Sequence, residues 1–101
     1  MPYIHCYVVL IIMATKTEIK NEMNDWYGFE LTDQQVDEFL NEHPEAIHFD
    51  TVERETFADY IAKKITGMLF PMNGDSQEYK QKFYAEMKEN SKPMGYIWNL
   101  D

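Results

Sequence analysis

The chain has 101 residues and a mass of 12.1 kDa, the usual size of one domain around a single hydrophobic core. Hydrophobic residues make up 45% of it and aromatic residues 15%, more than a disordered chain carries. Its net charge of −9 argues against general binding to a nucleic-acid backbone or to an anionic membrane. The one cysteine, Cys6, excludes an intramolecular disulfide and a zinc site made only of cysteines.

Residues 1–12 are predicted to form either a strand or an upstream extension of the reading frame. The apolar run from Tyr3 to Ala14 is shorter than the roughly twenty residues of a transmembrane helix, and no basic residue precedes it as in a secretory signal. Its β-branched residues favour a strand, whereas Met13 begins a stretch that is typical of the start of a soluble protein. We therefore expect a cytoplasmic protein without a membrane partner.

Residues 15–90 are predicted to be a helical core. Four times a Ser, Thr or Asp is followed three residues later by Glu or Gln, which is the pattern of a helix N-cap. The predicted pairs are Thr15 with Glu18, Thr32 with Gln35, Asp50 with Glu53, and Asp75 with Glu78. The first three helices are expected to end at Gly28, Pro44 and Gly67.

Apolar residues recur at helical spacing in each predicted helix, so that one stripe of each helix faces the core. The stripe of the first helix is Ile19, Met23 and Trp26. The other stripes are Val36, Phe39, Leu40 and His43 in the second helix, Phe57, Ala58, Ile61, Ile65 and Met68 in the third, and Tyr79, Phe83, Tyr84 and Met87 in the fourth.

The tail over residues 95–100 is aromatic and alternates in polarity, which predicts a short strand. Its expected partner is the strand in residues 1–12. The predicted fold class is thus mainly α: a compact four-helix single domain over residues 1–101, with a small two-stranded pairing of the N- and C-terminal segments.

An apolar loop separates the third and fourth helices, over residues 68–74. Leu69, Phe70 and Met72 are unusual in a loop, where polar residues are the rule. They predict either a lid that folds onto the core or an exposed hydrophobic contact for a partner.

Acidic residues are concentrated between Glu18 and Asp59. This stretch holds thirteen acids and two bases, Lys20 and Arg54, whereas the rest of the chain is slightly basic. One interpretation is an ordinary solvated surface in which carboxylates at helix N-termini complement the helix dipole. The other is a negative surface that attracts a basic partner, which the segregation of charge favours.

The charge pattern predicts a small non-enzymatic protein that occupies a basic surface of a partner. Helical carboxylates about 5–6 Å apart can imitate backbone phosphates, so we expect a nucleic-acid-binding protein or nuclease as partner and inhibition as the role. Proteins of this size and charge are frequent among phage and mobile-element products that disable host defence. No cofactor and no direct contact with nucleic acid are expected. The predicted binding residues are the acids Asp37, Glu38, Glu42, Glu45, Glu55 and Asp59, with Phe70 and Met72 as hydrophobic anchors.

A metal-binding protein or hydrolase is one alternative. The cluster of potential ligands is His43, Glu45, His48 and Asp50, residue types that bind zinc and other divalent ions. Its spacing matches no standard signature, and the sequence holds no recognisable catalytic motif.

Two further alternatives use the lysines of the fourth predicted helix. Lys80, Lys82, Lys88 and Lys92 are interleaved with aromatic residues, as in single-strand binders. Lys80, Lys82 and Lys88, however, spread around the helix instead of forming a stripe. The same basic half could also pair with the acidic half of a second copy, giving a structural homodimer.

Overall fold

The computed structural model describes residues 15–99, and they form a mainly helical fold with one small sheet. The elements, in chain order, are α1 (Lys16–Tyr27), β1 (Phe29–Glu30), α2 (Asp33–Glu42), a 3-10 helix (Pro44–His48), α3 (Thr51–Thr66), α4 (Gln77–Asn90) and β2 (Ile97–Trp98). The predicted mainly helical class with four α-helices and a small two-stranded sheet is confirmed, but the partner of the C-terminal strand in the described residues is Phe29–Glu30. The strand predicted in residues 1–12 lies outside the described residues.

The first three helices begin where the sequence predicts. The side chains of Thr15, Thr32 and Asp50 accept hydrogen bonds from backbone N–H groups three residues later, and Thr32 forms a reciprocal capping box with Gln35. α1 and α3 end at glycines with positive φ, Gly28 and Gly67, a conformation that side chains with a Cβ disfavour.

The start of α4 differs from the prediction by one residue. Ser76, not Asp75, is the N-cap, and its hydroxyl accepts from the backbone N–H of Tyr79 at 3.2 Å. The Asp75 carboxylate instead accepts from the backbone N–H of Met72 at 2.7 Å and closes the preceding turn. Both Asp and Ser can cap a helix, but Asp75 is used in the turn, so Ser76 caps α4.

The C-terminal strand pairs with the strand that follows α1. β1 and β2 are antiparallel, with Phe29 opposite Trp98 and Glu30 opposite Ile97. The Trp98 indole donates to the Tyr27 carbonyl at 3.0 Å, which fastens the tail to the end of α1.

Aromatic residues hold the helices together. Phe39 of α2 and Phe57 of α3 stack with ring centres 3.9 Å apart, and neither is exposed to solvent. Phe83 of α4 belongs to the same buried cluster. The rings of this cluster are among the side chains that bury most area on folding, so they fix how α2, α3 and α4 pack.

The predicted core position of Trp26 is wrong, because its side chain is 61% exposed. Ile19 and Met23 of the same stripe are fully buried. The buried aromatic residue that follows α1 is Phe29 in β1, while Trp26 lies over the guanidinium of Arg54. The periodicity puts Trp26 on the same face of α1 as Ile19 and Met23. It does not show that the last turn of α1 extends beyond the core.

The apolar loop divides between the two interpretations offered for it. The Phe70 ring packs edge-to-face against Tyr27 at 5.2 Å and Phe83 at 5.1 Å, so it closes the core. Leu69 and Met72 remain exposed. None of the helices within residues 15–99 has the length and apolar character to cross a bilayer.

Candidate protein-binding surface

Two acids of α2 are paired with lysines of α1. Lys16 lies 2.8 Å from Asp37, and Lys20 lies 2.9 Å from Asp33. The hydrogen bond to Asp37 raises the pKa of Lys16, and the hydrogen bond from Lys20 lowers the pKa of Asp33. The predicted binding residue Asp37 therefore already has a cation beside it.

Two further acids of α2, Glu38 and Glu42, are exposed but have a lysine nearby. The Lys64 ammonium of α3 lies 4.4 Å from the ring centre of Tyr60. The interaction with Tyr60 raises the pKa of Lys64, and the charge of Glu38 adds to this effect. Burial raises the pKa of Tyr60, and Glu42 raises it further. Glu38, Glu42, Tyr60 and Lys64 therefore lie close together.

Asp59 and Phe70, two other predicted binding residues, are engaged within the fold. The Asp59 carboxylate accepts from the backbone N–H of Phe70 at 3.1 Å and holds the apolar loop against α3. Burial raises the pKa of Asp59 and outweighs this hydrogen bond, and the neighbouring charge of Glu55 raises it further.

The remaining predicted residues lie on separate elements. Glu45 is in the 3-10 helix, 3.5 Å from the imidazole of His43. Glu55 is exposed on α3, and Met72 is 69% exposed in the loop. Within the described residues, no hydrogen bond or salt bridge joins Glu45, Glu55 and Met72 to one another.

The predicted metal cluster does not converge. Within residues 15–99, no group of three or more His, Cys, Asp or Glu side chains could hold a metal ion. The His43 ring instead lies 5.1 Å from Phe39 and 5.8 Å from Tyr60, between centroids. The Asp50 carboxylate is used as the N-cap of α3.

α1 carries a different set of acids, which are not among the predicted binding residues. Glu18, Glu22 and Asp25 are spaced at i, i+4 and i+7, so they share one face of the helix. A cleft of about 280 Å³ runs beside them. Its lining residues are Glu18, Asn21, Glu22, Asp25, Phe49 and Arg54. We call this cleft together with Trp26 the Trp26 face.

One carboxylate organises the Trp26 face. Oε2 of Glu22 accepts from Nη1 of Arg54 at 2.8 Å and from the indole N–H of Trp26 at 2.9 Å. The guanidinium of Arg54 lies over the indole, 4.6 Å from its ring centre, and also donates to the hydroxyl of Thr51 at 3.0 Å. The indole is thus held in place by contacts within the chain.

Burial differs sharply across this group. The Arg54 side chain is 16% exposed, whereas Trp26 is 61% exposed although it packs on Arg54. No salt bridge within residues 15–99 involves Glu18 or Asp25. The Trp26 face therefore presents an ordered aromatic ring beside two uncompensated carboxylates.

The sequence contains signals for this arrangement. Glu22 and Trp26 are four residues apart on one helix, a spacing at which side chains meet. Arg54 is the only arginine of the chain and one of two bases in the acidic stretch. What the sequence does not provide is the packing of α1 against the start of α3, which brings Arg54 onto the indole.

Comparison with protein-family models, with curated proteins and with solved structures gave no match to this chain.

Proposed function

We propose that the chain is a cytoplasmic, non-enzymatic binding protein that occupies a positively charged surface of a partner protein. The observation that supports this best is the Trp26 face, where an exposed and ordered indole lies beside a cleft lined by Glu18 and Asp25, which form no salt bridge within residues 15–99. We therefore propose that the partner binds α1 and the start of α3, while the role predicted for the acids of α2 and α3 stays a prediction.

Charge supports the attraction of a basic partner. The cleft of the Trp26 face is lined by three carboxylates and one guanidinium, on a chain whose net charge is −9. A surface of one sign accelerates the encounter with the opposite sign, and this effect decreases with salt. Binding should therefore be fast and sensitive to salt.

The exposed indole supports specific contact. Tryptophan and arginine dominate the energy of protein interfaces, where a few buried anchors contribute most of the affinity. Trp26 is already fixed by Glu22 and Arg54, so little conformational entropy is lost when a partner covers it. An interface centred on Trp26 would bury the largest apolar side chain that the described surface exposes.

Inhibition is the role that follows most directly from such binding. A protein that covers a basic nucleic-acid-binding surface excludes the nucleic acid by occupying its place. We propose a nuclease or another nucleic-acid-binding protein as the partner, because these carry the basic surfaces that α-helical carboxylates can match.

Defined basic proteins test this proposal. Binding of the chain to pancreatic ribonuclease and to core histones is measured by biolayer interferometry at increasing salt, with the basic protein cytochrome c as a probe that has no nucleic-acid site. We expect salt-sensitive binding to the nucleic-acid-binding probes. No binding to any probe at low salt would overturn the proposal.

A matched pair of variants tests the surface. The double variant Glu18→Gln and Asp25→Asn neutralises one first-turn acid and one last-turn acid of α1, whereas Glu78→Gln and Glu89→Gln makes the same change in charge at similar positions of α4. We expect the α1 variant to weaken binding by about three- to tenfold, the range of exposed charge pairs, and the α4 variant by less than about twofold. Equal weakening would show that net charge acts and the Trp26 face does not.

A further inference from the structure

We propose that the Trp26 face receives an arginine side chain of the partner, stacked on the side of the indole opposite Arg54. This inference rests on the proposed function and specifies the chemistry that the surface recognises. It predicts that the surface prefers arginine to lysine. Attraction between opposite charges alone does not predict this preference, because both side chains carry one positive charge.

The geometry of Trp26 leaves room for a second stacked group. One side of its ring is covered by the guanidinium of Arg54, at 4.6 Å from the ring centre. Trp26 nevertheless remains 61% exposed, so the accessible area belongs to its edges and to the opposite side. No other aromatic ring within the described residues packs against this indole.

The surrounding charges favour a cation at this position. Glu22 is hydrogen-bonded to the indole N–H and so lies at the edge of the ring. Asp25 precedes Trp26 on α1, and no salt bridge within residues 15–99 uses its carboxylate. A cation stacked on the indole would therefore meet the quadrupole of the ring and nearby negative charge together.

Arginine matches this arrangement better than lysine. Its guanidinium is flat, so it can stack on the indole while its edge donates two parallel hydrogen bonds to a carboxylate. An ammonium is more strongly hydrated and acts as a point charge, so it has less to gain from leaving water for an aromatic surface. The site should then prefer arginine at equal charge.

The expected occupant is a different protein and not a second copy of this chain. Arg54 is the only arginine in the sequence, and it is already bound to Glu22 and stacked on Trp26. A second copy could therefore offer only lysines without dismantling its own Trp26 face.

Fluorescent octa-arginine and octa-lysine peptides of equal length and charge test this inference by fluorescence anisotropy at one fixed salt concentration. We expect the intact chain to bind octa-arginine at least about fivefold more tightly, a difference of about 1 kcal/mol. In Trp26→Leu, which keeps apolar bulk over Arg54 but removes the aromatic ring, the ratio should decrease at least threefold while octa-lysine affinity changes by less than twofold. Trp26→Phe should keep an intermediate ratio, and Met72→Ala, at another exposed apolar residue, should leave it unchanged.

The outcomes separate this inference from the proposed function. Failure of both peptides to bind at low salt would overturn both. Binding of both peptides with equal affinity, or a ratio that Trp26→Leu leaves unchanged, would overturn the arginine site alone. Circular dichroism confirms that each variant is folded, and if Trp26→Leu does not fold, a Trp26→Phe ratio equal to that of the intact chain would count against the inference.

Discussion

α1 and α2 are both acidic helices, but their carboxylates lie in different surroundings. Lys16 and Lys20 of α1 extend across to Asp37 and Asp33 of α2, so the bases of one helix neutralise the acids of the other. Of the α1 acids Glu18, Glu22 and Asp25, only Glu22 forms a salt bridge within residues 15–99, with Arg54. The same sequence stretch thus has its lysine pairs on α2 and two carboxylates without a salt bridge on α1.

The difference shows that a run of acidic residues does not by itself locate a negative surface. Lys16 and Lys64 both lie outside the stretch from Glu18 to Asp59, yet folding brings them to its acids. A carboxylate with an ammonium at 2.8 Å contributes little to the field that a partner meets. Four variants test this contrast and the packing on which it rests.

The largest effect is expected from Phe39→Ala, which removes the ring that fixes α2 against α3. Phe39 is fully buried and stacks on Phe57 at 3.9 Å, so the change removes apolar contacts and leaves a cavity. We expect the free energy of unfolding to decrease by about 3–5 kcal/mol, measured by urea denaturation. Asn41→Ala, at an exposed position of the same helix, should change it by less than about 0.5 kcal/mol. A loss below 1 kcal/mol for Phe39→Ala would contradict the packing described.

The next effect comes from Arg54→Met, which dismantles the Trp26 face. It removes the largely buried partner of Glu22 and the cation stacked on Trp26. The free energy of unfolding should decrease by about 1–2 kcal/mol, and the emission of Trp26 should change because its ring loses this partner. The corresponding change at the pair between α1 and α2, Lys20→Met, should leave stability nearly unchanged. An equal decrease in the free energy of unfolding for Arg54→Met and Lys20→Met would show that the two ion pairs do not differ in strength.

A smaller effect, which depends on pH, is expected at Asp59. Burial raises the pKa of this carboxyl, so the folded chain holds the proton more tightly than the unfolded chain does. The associated stabilisation is complete below the ordinary aspartate pKa and is lost as pH rises through the raised pKa.

Asp59→Asn should therefore be more stable than the original chain at neutral pH, with a difference that disappears at strongly acidic pH. The amide oxygen can still accept from the backbone N–H of Phe70, so the loop stays attached. Thermal denaturation over a series of pH values measures the difference, with Glu89→Gln, at an exposed acid of α4, as the control. A difference that grows as pH falls would have the wrong sign.

The smallest effect on stability is expected from the double variant Lys16→Met and Lys20→Met, which exposes the charge of Asp37 and Asp33. Both ion pairs lie at the surface, so the unfolding midpoint should stay within error. Octa-arginine binding should increase about two- to threefold, because α2 becomes a second uncompensated surface. Unchanged binding would show that these lysines do not screen the α2 acids.

Much of the local structure could be predicted from the sequence. The caps at Thr15, Thr32 and Asp50 and the left-handed glycines depend on side chains within a few residues of the helix end, and all were correctly placed. Asp75 and Ser76 are adjacent and either could be the N-cap of α4, so the sequence pattern does not decide between them. The geometry of the turn decides, because it uses the Asp75 carboxylate.

The candidate surface was less predictable. The periodicity predicts a core position for Trp26, which is wrong, because apolar character and spacing do not tell whether another element covers a residue. Phe70 packs onto the core, as one of the two interpretations of the loop predicts, and its role as an anchor stays a prediction. The predicted role of the α2 acids stays a prediction, and their lysine partners come from other helices.

The sequence by itself determined the helical class, the helix limits set by caps and glycines, and the net negative charge, because these depend on composition and on neighbours along the chain. Only the tertiary structure decided that the tail pairs with Phe29–Glu30 and that Arg54 lies on Trp26. It also decided which acids receive a lysine. Contacts between distant residues depend on how whole helices pack, and no local pattern encodes that packing.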